Sequence, residues 1–154
     1  LTFTPDGRLW ATDNGSDEPC ATIDELNLIV EGGDYGWPYS PGCDALTKGE
    51  PPVADLGLHT SSDGLAYYDA DAFPAEYRGS FFVAQFGANS GDPNIGKRLV
   101  RVTVQQTAEG PRGEMTDFAL GLDNPLDVAV DRDGSLVVAD FGSGKLYRIV
   151  YVGG

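Results

Sequence analysis

The sequence predicts an all-β fold of the β-propeller kind, on three observations. One unit recurs: "LTFTPDGRLWATDNGS" at 1–16 aligns without a gap on "VAVDRDGSLVVADFGS" at 128–143, and "RGSFFVAQFG" at 78–87 aligns on "DGSLVVADFG" at 133–142. Each copy continues through a variable loop into a further strand, "ELNLIV" (25–30), "RLVRVTV" (98–104) and "KLYRIV" (145–150). Helical windows are scarce, since 21 Gly and 10 Pro interrupt the 154 residues.

The unit therefore reads as strand, tight turn, strand, variable loop, strand. In its first strand the alternation of Leu1 with Phe3, or of Val128 with Val130, suits a half-buried antiparallel strand. The turn follows at Asp6–Gly7, Arg78–Gly79 and Asp133–Gly134, where glycine provides the positive φ of a short hairpin. Only "DELNLIV" and "DADAFPAEYRG" have any helical alternative, and Pro74 breaks the second. Unit lengths suit propeller blades with loop insertions, and a β-sandwich is the competing architecture. Propellers close with about four to eight blades, so three units amount to roughly half a ring. Leu1 opens directly in strand sequence, and we read 1–154 as a partial propeller domain, the C-terminal part of a longer chain. Its raw blade edges then need the remaining blades, from the parent chain or another chain.

Composition narrows the partners. A formal charge of −14 repels a phosphate backbone and an anionic membrane surface, and no apolar run is long enough to span a bilayer. Nucleic acid is excluded as a partner; cations, neutral small molecules and basic proteins remain. Cys20 and Cys43 bracket an acidic segment. A disulfide between them would place the protein in an oxidising compartment, and two unpaired thiols are the alternative. A thiolate metal site lacks ligands, because His59 is the one histidine.

In a propeller the variable loops of successive blades emerge side by side. The first carries Asp13, Asp17, Glu18, Asp24 and Glu25 with no cation between them. The second carries Asn89, Asn94, Lys97 and Arg98, and the third Ser143 and Lys145. Carboxylates with main-chain carbonyls in a glycine-bearing loop form the oxygen ligand set of Ca²⁺, although the EF-hand register is absent. A solvated acidic loop is the plainer alternative, as exposed strand-end charges are for Lys97 and Arg98. Other chemistries find no support: no G-x-S-x-G elbow surrounds a serine, and "GSGKLY" at 142–147 lacks the first glycine and the Ser/Thr of a phosphate-binding loop. Asn14-Gly15-Ser16 is a formal glycosylation acceptor, a triplet common by chance.

The runs "DELNLIVEGGDYGWP", "GLAYYDADAFPAEYRGSFFVAQFG", "GKRLVRV" and "DVAVDRDGSLVVADFGSGKLYRI" together resemble the C-terminal half of the glucose/sorbosone dehydrogenases. These are six-bladed propellers that use pyrroloquinoline quinone (PQQ) and Ca²⁺ to oxidise sugars. The resemblance implies that the main-chain carbonyls of Gly15 and Ser16 meet a cofactor-bound Ca²⁺, with Asn14 beside the quinone. It also implies that the Glu25 side chain and the Tyr35 main chain hold a second Ca²⁺, and that Thr60 contacts cofactor. Lys97 is the candidate cation for the quinone carboxylates. Where relatives place arginines ahead of "DVAV", this chain has Asn124, Pro125 and Leu126. The family's general-base histidine belongs to the N-terminal half, His59 is not its equivalent, and no catalytic residue is assigned within 1–154. The expected function is part of an extracellular or periplasmic PQQ- and calcium-dependent sugar dehydrogenase with a small-molecule sugar substrate. The alternative is a non-catalytic, calcium-binding, NHL-like propeller used as a binding or interaction module.

Overall fold

The computed structural model describes residues 1–16, 23–37, 49–88 and 95–153. Asp17, Glu18, Cys20, Cys43, Asn89 and Asn94, and with them the expected disulfide, lie outside the described residues.

The chain is all-β. Its strands are β1 (Thr2–Phe3), β2 (Leu9–Asp13), β3 (Ile23–Ile29), β4 (Ala54–Leu58), β5 (Ser62–Tyr68), β6 (Ser80–Gln85), β7 (Arg98–Thr107), β8 (Gly110–Ala119), β9 (Pro125–Val130), β10 (Leu136–Asp140) and β11 (Lys145–Ile149). They form three antiparallel sheets in sequence order, β1-β2-β3-β4, β5-β6-β7-β8 and β9-β10-β11, which are three successive propeller blades. The third blade has three described strands and the ring is open.

The repeat seen in the sequence is a repeat of hydrogen bonds. In the first blade Gly7 N donates to Thr4 O and Thr4 N to Arg8 O, both at 2.9 Å. In the third, Gly134 N donates to Asp131 O at 2.9 Å and Asp131 N to Ser135 O at 2.8 Å. Gly7 and Gly134 have φ of +84° and +81°, the left-handed conformation this turn requires.

Strand boundaries shift slightly from the sequence expectation: the segment expected at 25–30 is Ile23–Ile29, and that expected at 98–104 runs on to Thr107. "DELNLIV" is strand, and "DADAFPAEYRG" yields one 3₁₀ turn, Ala75–Tyr77, immediately after Pro74. The outer strands β4 and β8 carry no clear sequence signal. β8 mixes polar residues with glycine and proline and has no fully buried residue, and its Pro111 fits an edge strand, where one side needs no N–H donor.

The core lies between blades rather than within them. One cluster joins blades one and two through Trp10, Leu26, Leu56, Leu65, Phe81 and Val83. The other joins blades two and three through Tyr68, Phe73, Phe82, Ala84, Val128, Leu136 and Val138. The middle blade is covered on both faces, so β6 is buried throughout and reads as the unbroken apolar run "FFVA". β10, with one covered face, keeps its alternation. Gly64 makes the close approach of blades two and three possible: a Cβ there would stand 2.5 Å from the Asp127 Cα.

Candidate functional site

The chain leaves β2 at Asp13 and enters β5 at Ser62, and both ends open on one face. Between them lies a cleft of about 500 Å³, lined by Asp13, Asn14 and Gly15 on one side, Ser62 and Asp63 on the other, together with Thr12 and Trp37. Asp24 holds these two sides together. It is 1% exposed, and its carboxylate accepts from Gly15 N at 3.0 Å, Thr60 Oγ1 at 2.8 Å and Ser62 N at 2.8 Å. Two further bonds cross the cleft: Thr12 Oγ1 donates to Asp63 O at 3.1 Å, and Asn14 Nδ2 to Asp63 Oδ1 at 3.0 Å.

Thr60 is buried and its hydroxyl is fully engaged. It lies within hydrogen-bonding distance of Asp24, of Leu56 O at 3.1 Å and of Ser62 Oγ at 2.9 Å, and accepts from Gln85 Nε2 at 3.1 Å. Gln85 in turn accepts from Arg98 Nε at 2.7 Å, and Arg98 pairs with Asp117 at 2.8 Å. The 59–61 segment is conformationally tight, with φ of +49° at His59 and at Ser61. The end of the second blade's loop packs on this segment: Gly87 N donates to Thr60 O at 2.8 Å, and a Cβ on Gly96 would stand 2.8 Å from the same oxygen. Lys97 follows Gly96 with φ +52°, and its Nζ donates to Asp123 Oδ1 at 3.2 Å. Arg98 and Lys97 thus both have carboxylate partners.

Asn124, Pro125 and Leu126 serve as a joint. Asn124 has φ +64°, its amide donates to Phe86 O at 2.9 Å, and its own carbonyl accepts from Phe141 N at 3.0 Å. Pro125 is buried and Leu126 exposed. In the third loop Ser143 Oγ is buried with no partner among the described residues, and Lys145 is exposed.

Glu25 stands in a row of acids that the strand register creates. It pairs with Asp13 on β2 and with Asp55 on β4, yet it is only 6% exposed. Burial first, then the fields of Asp13, Asp55 and Asp24, raise its carboxyl to about 7, against a lowering hydrogen bond from Asn27. Asp13 is raised as well, by burial and then by Asp24. Beside Glu25, the buried Asn27 Oδ1 has no partner among the described residues. A hard cation suits such a place, because it would favour the charged carboxylate and supply the amide oxygen with a partner. Tyr35 anchors the 31–36 segment to β3, its hydroxyl accepting from Val30 N at 2.7 Å and donating to Leu28 O at 2.9 Å. Among the described residues no three His, Cys, Asp or Glu side chains gather as a metal site. The ligand sets expected from the sequence draw largely on main-chain oxygens instead.

Of the expected site residues, Asn14 and Gly15 line the cleft, and Ser16 follows directly on them. Thr60 lies behind the cleft wall, joined to Gly15 through Asp24. Lys97, Glu25 and Tyr35 are not among the lining residues. Ser62, Asp63 and Trp37 were not singled out: Trp37 stands in the run "DELNLIVEGGDYGWP" that carries the resemblance, whereas no motif marks Ser62 and Asp63, which reach the cleft through the packing of neighbouring blades.

The raised carboxyl of Glu25 gives a pH prediction. Its folded value exceeds its ordinary 4.5, so the metal-free folded state retains a proton that the unfolded chain releases. Stability is greatest below about pH 4.5 for this group, falls as pH rises, and levels off above about 7, a loss on the order of 3 kcal/mol. In chelator, Glu25→Gln should flatten this slope in denaturation curves taken across that range. Parallel curves for both proteins would remove Glu25 as its source.

Four likenesses bear on identity. The glucose/sorbosone dehydrogenase family model matches residues 1–148. Quinoprotein glucose dehydrogenase B of Acinetobacter calcoaceticus is 48% identical over 42 residues, covering 27% of this chain and 8% of that protein. A crystal structure of a glucose dehydrogenase superposes with TM-score 0.69 at 26% identity, covering 97% of this chain and 43% of its own. The PQQ-bound aldose sugar dehydrogenase of Streptomyces coelicolor superposes with TM-score 0.64 at 23% identity, covering 95% and 40%, a likeness of fold. The chain spans less than half the length of the relatives it matches.

Proposed function

Since the chain belongs to the glucose/sorbosone dehydrogenase family, a family of sugar oxidoreductases, we propose that it forms the C-terminal half of a PQQ- and calcium-dependent sugar dehydrogenase. The rest of the ring would come from the parent chain or another chain. The observation that carries this reading is the cleft itself, in which Asn14 and Gly15 are fixed opposite Asp63 by the buried Asp24.

The described lining contains Asp13 and Asp63 and no cation. A tricarboxylate quinone therefore fits this wall only together with a divalent cation, and the lining oxygens are of the kind that Ca²⁺ takes. Gly15 and Ser16 would present main-chain oxygens to the ion, and Asn14 its amide to the quinone edge. Glu25 and the Tyr35 main chain would hold the second ion. Bound together, quinone and Ca²⁺ supply the electrophile for a sugar hydride. This chain's part is binding and orientation. Lys97, now on Asp123 at 3.2 Å, can exchange that partner for a quinone carboxylate, and Thr60 secures Asp24. The general base is supplied by the other half of the ring. An extracellular or periplasmic location goes with this reading; among the described residues no helix is long and apolar enough to cross a membrane.

Titration of the full-length protein with PQQ in excess Ca²⁺, followed by addition of an aldose, tests the reading. Quinone absorbance should saturate and then bleach, and Lys97→Ala should weaken quinone binding about tenfold or more, as loss of a charge-assisted hydrogen bond does. Saturable calcium binding without quinone uptake would favour the second reading, a non-catalytic calcium-binding propeller module. The uncharged joint Asn124–Pro125–Leu126 is the feature that favours it.

A further inference from the structure

The three blades end their second strand with a polar residue at the same place in the repeated unit: Asp13 on β2, Gln85 on β6 and Asp140 on β10. Two are acids and the middle one is an amide. Asp13 lines the cleft. Gln85 is fully buried and stands behind it, in contact with both blades that form its walls.

The orientation of the Gln85 amide is fixed from two sides. Arg98 Nε donates to its Oε1 at 2.7 Å, and an arginine has no acceptor to offer an NH₂ group. On the other side Gln85 Nε2 donates to Leu56 O, on β4 of blade one, at 2.6 Å. Turning the amide over would set donor against donor at Arg98 and acceptor against acceptor at Leu56. Nε2 therefore faces Thr60 Oγ1 at 3.1 Å and Ser62 Oγ at 3.2 Å as a donor. With Oγ1 accepting from Gln85, the Thr60 proton goes to the charged acceptor within reach, Asp24 Oδ2 at 2.8 Å. Asp24 in turn accepts from Gly15 N and Ser62 N. One direction of donation thus runs from Arg98 through Gln85 and Thr60 to the carboxylate that joins the cleft walls.

We infer that Gln85 is a positioning residue for the candidate site: its amide sets the Thr60 and Ser62 hydroxyls, ties blade two to Leu56 of blade one, and so fixes the two cleft walls relative to each other. This role deepens the proposed function and rests on that reading for its ligand, though not for its geometry. A carboxylate at this place, as the other two blades carry, would keep the bond from Arg98. It would also present an acceptor to Leu56 O and draw the Thr60 proton away from Asp24. Methionine has similar length and no acceptor oxygen, so it leaves that proton on Asp24.

Gln85→Glu and Gln85→Met in the full-length protein separate this role from plain packing. Amide exchange at Gly15 and Ser62, relative to the β10 amides, should quicken about tenfold or more in Gln85→Glu, as loss of a hydrogen bond to a charged group does, and about threefold or less in Gln85→Met. Packing alone gives the opposite order, because glutamate copies the shape of glutamine and keeps Arg98. Unchanged relative exchange in Gln85→Glu, or a methionine effect as large as that of glutamate, would overturn the assignment; should the glutamate variant not fold, a quickening of about tenfold in the methionine variant would do so by itself. PQQ affinity in excess Ca²⁺ should fall in the same order, and equal affinity in Gln85→Glu and wild type would also overturn it. No quinone uptake by wild type would sink the proposed function and leave the exchange result to decide the role of Gln85.

Discussion

Asp24→Ala is expected to cost about 2–5 kcal/mol and to open the cleft. Two main-chain donors, Gly15 N and Ser62 N, lose their acceptor, and a buried donor left unpaired costs about 1–3 kcal/mol. Thr60 suffers less, because Leu56 O and Ser62 Oγ are still within its reach. Asp24→Asn, with one acceptor oxygen, should fall between wild type and alanine. Urea denaturation gives the stability, and hydrogen exchange at the Gly15 and Ser62 amides gives the local opening. Under the proposed function, calcium and quinone affinity should fall alongside, since the loop that carries Asn14, Gly15 and Ser16 would lose its anchor. A cost below about 1 kcal/mol, with unchanged protection of both amides, would show that the clasp does not organise the site.

Phe82→Ala should be as damaging, at about 3–5 kcal/mol, and for a different reason. Phe82 is fully buried between blades two and three, with ring contacts to Phe118 at 4.7 Å, Tyr68 at 5.8 Å and Phe73 at 6.5 Å. The cavity would lie on the face of β6 that supports the third blade, so amide protection should fall first in β9 and β10. Phe81→Ala, one residue earlier, should act on the opposite face and loosen β2 and β3, because Phe81 packs on Trp10. Indistinguishable exchange patterns in the two variants would mean that the blades unfold as one unit and that the two interfaces have no separate stability.

Much of the first and third blades was legible because they repeat the same local chemistry. A turn that needs glycine at positive φ, and strands with one covered face, leave marks at short range, and these recur at 1–16 and 128–143. The middle blade showed its central strand as an unbroken apolar run, as burial on both faces requires. The outer strands were hidden. β8 lies at an edge and mixes polar residues with two glycines and a proline, and β4 is five residues with a glycine inside, so neither carries a strong period.

The site divides in the same way. Asn14 and Gly15 were named through the family resemblance, and the structure places them on the cleft where a loop leaves the second strand. The partners that give the loop its shape were not: Asp24 reaches Thr60 and Ser62 across 36 and 38 residues of sequence. Nor did the acidic composition of the first loop show that Asp24 would be a hydrogen-bond hub while Glu25, its neighbour, would be held in a row of carboxylates. Successive side chains of a strand point to opposite faces, and only the packing of blade two against one of those faces separates their roles. The sequence by itself determined the blade repeat, the turns and the family, since these follow from local conformational preference and pattern. The tertiary structure decided which carboxylate is hydrogen-bonded and which is held in a row of like charges with its pKa raised, because burial and long-range partners set the cost of charge.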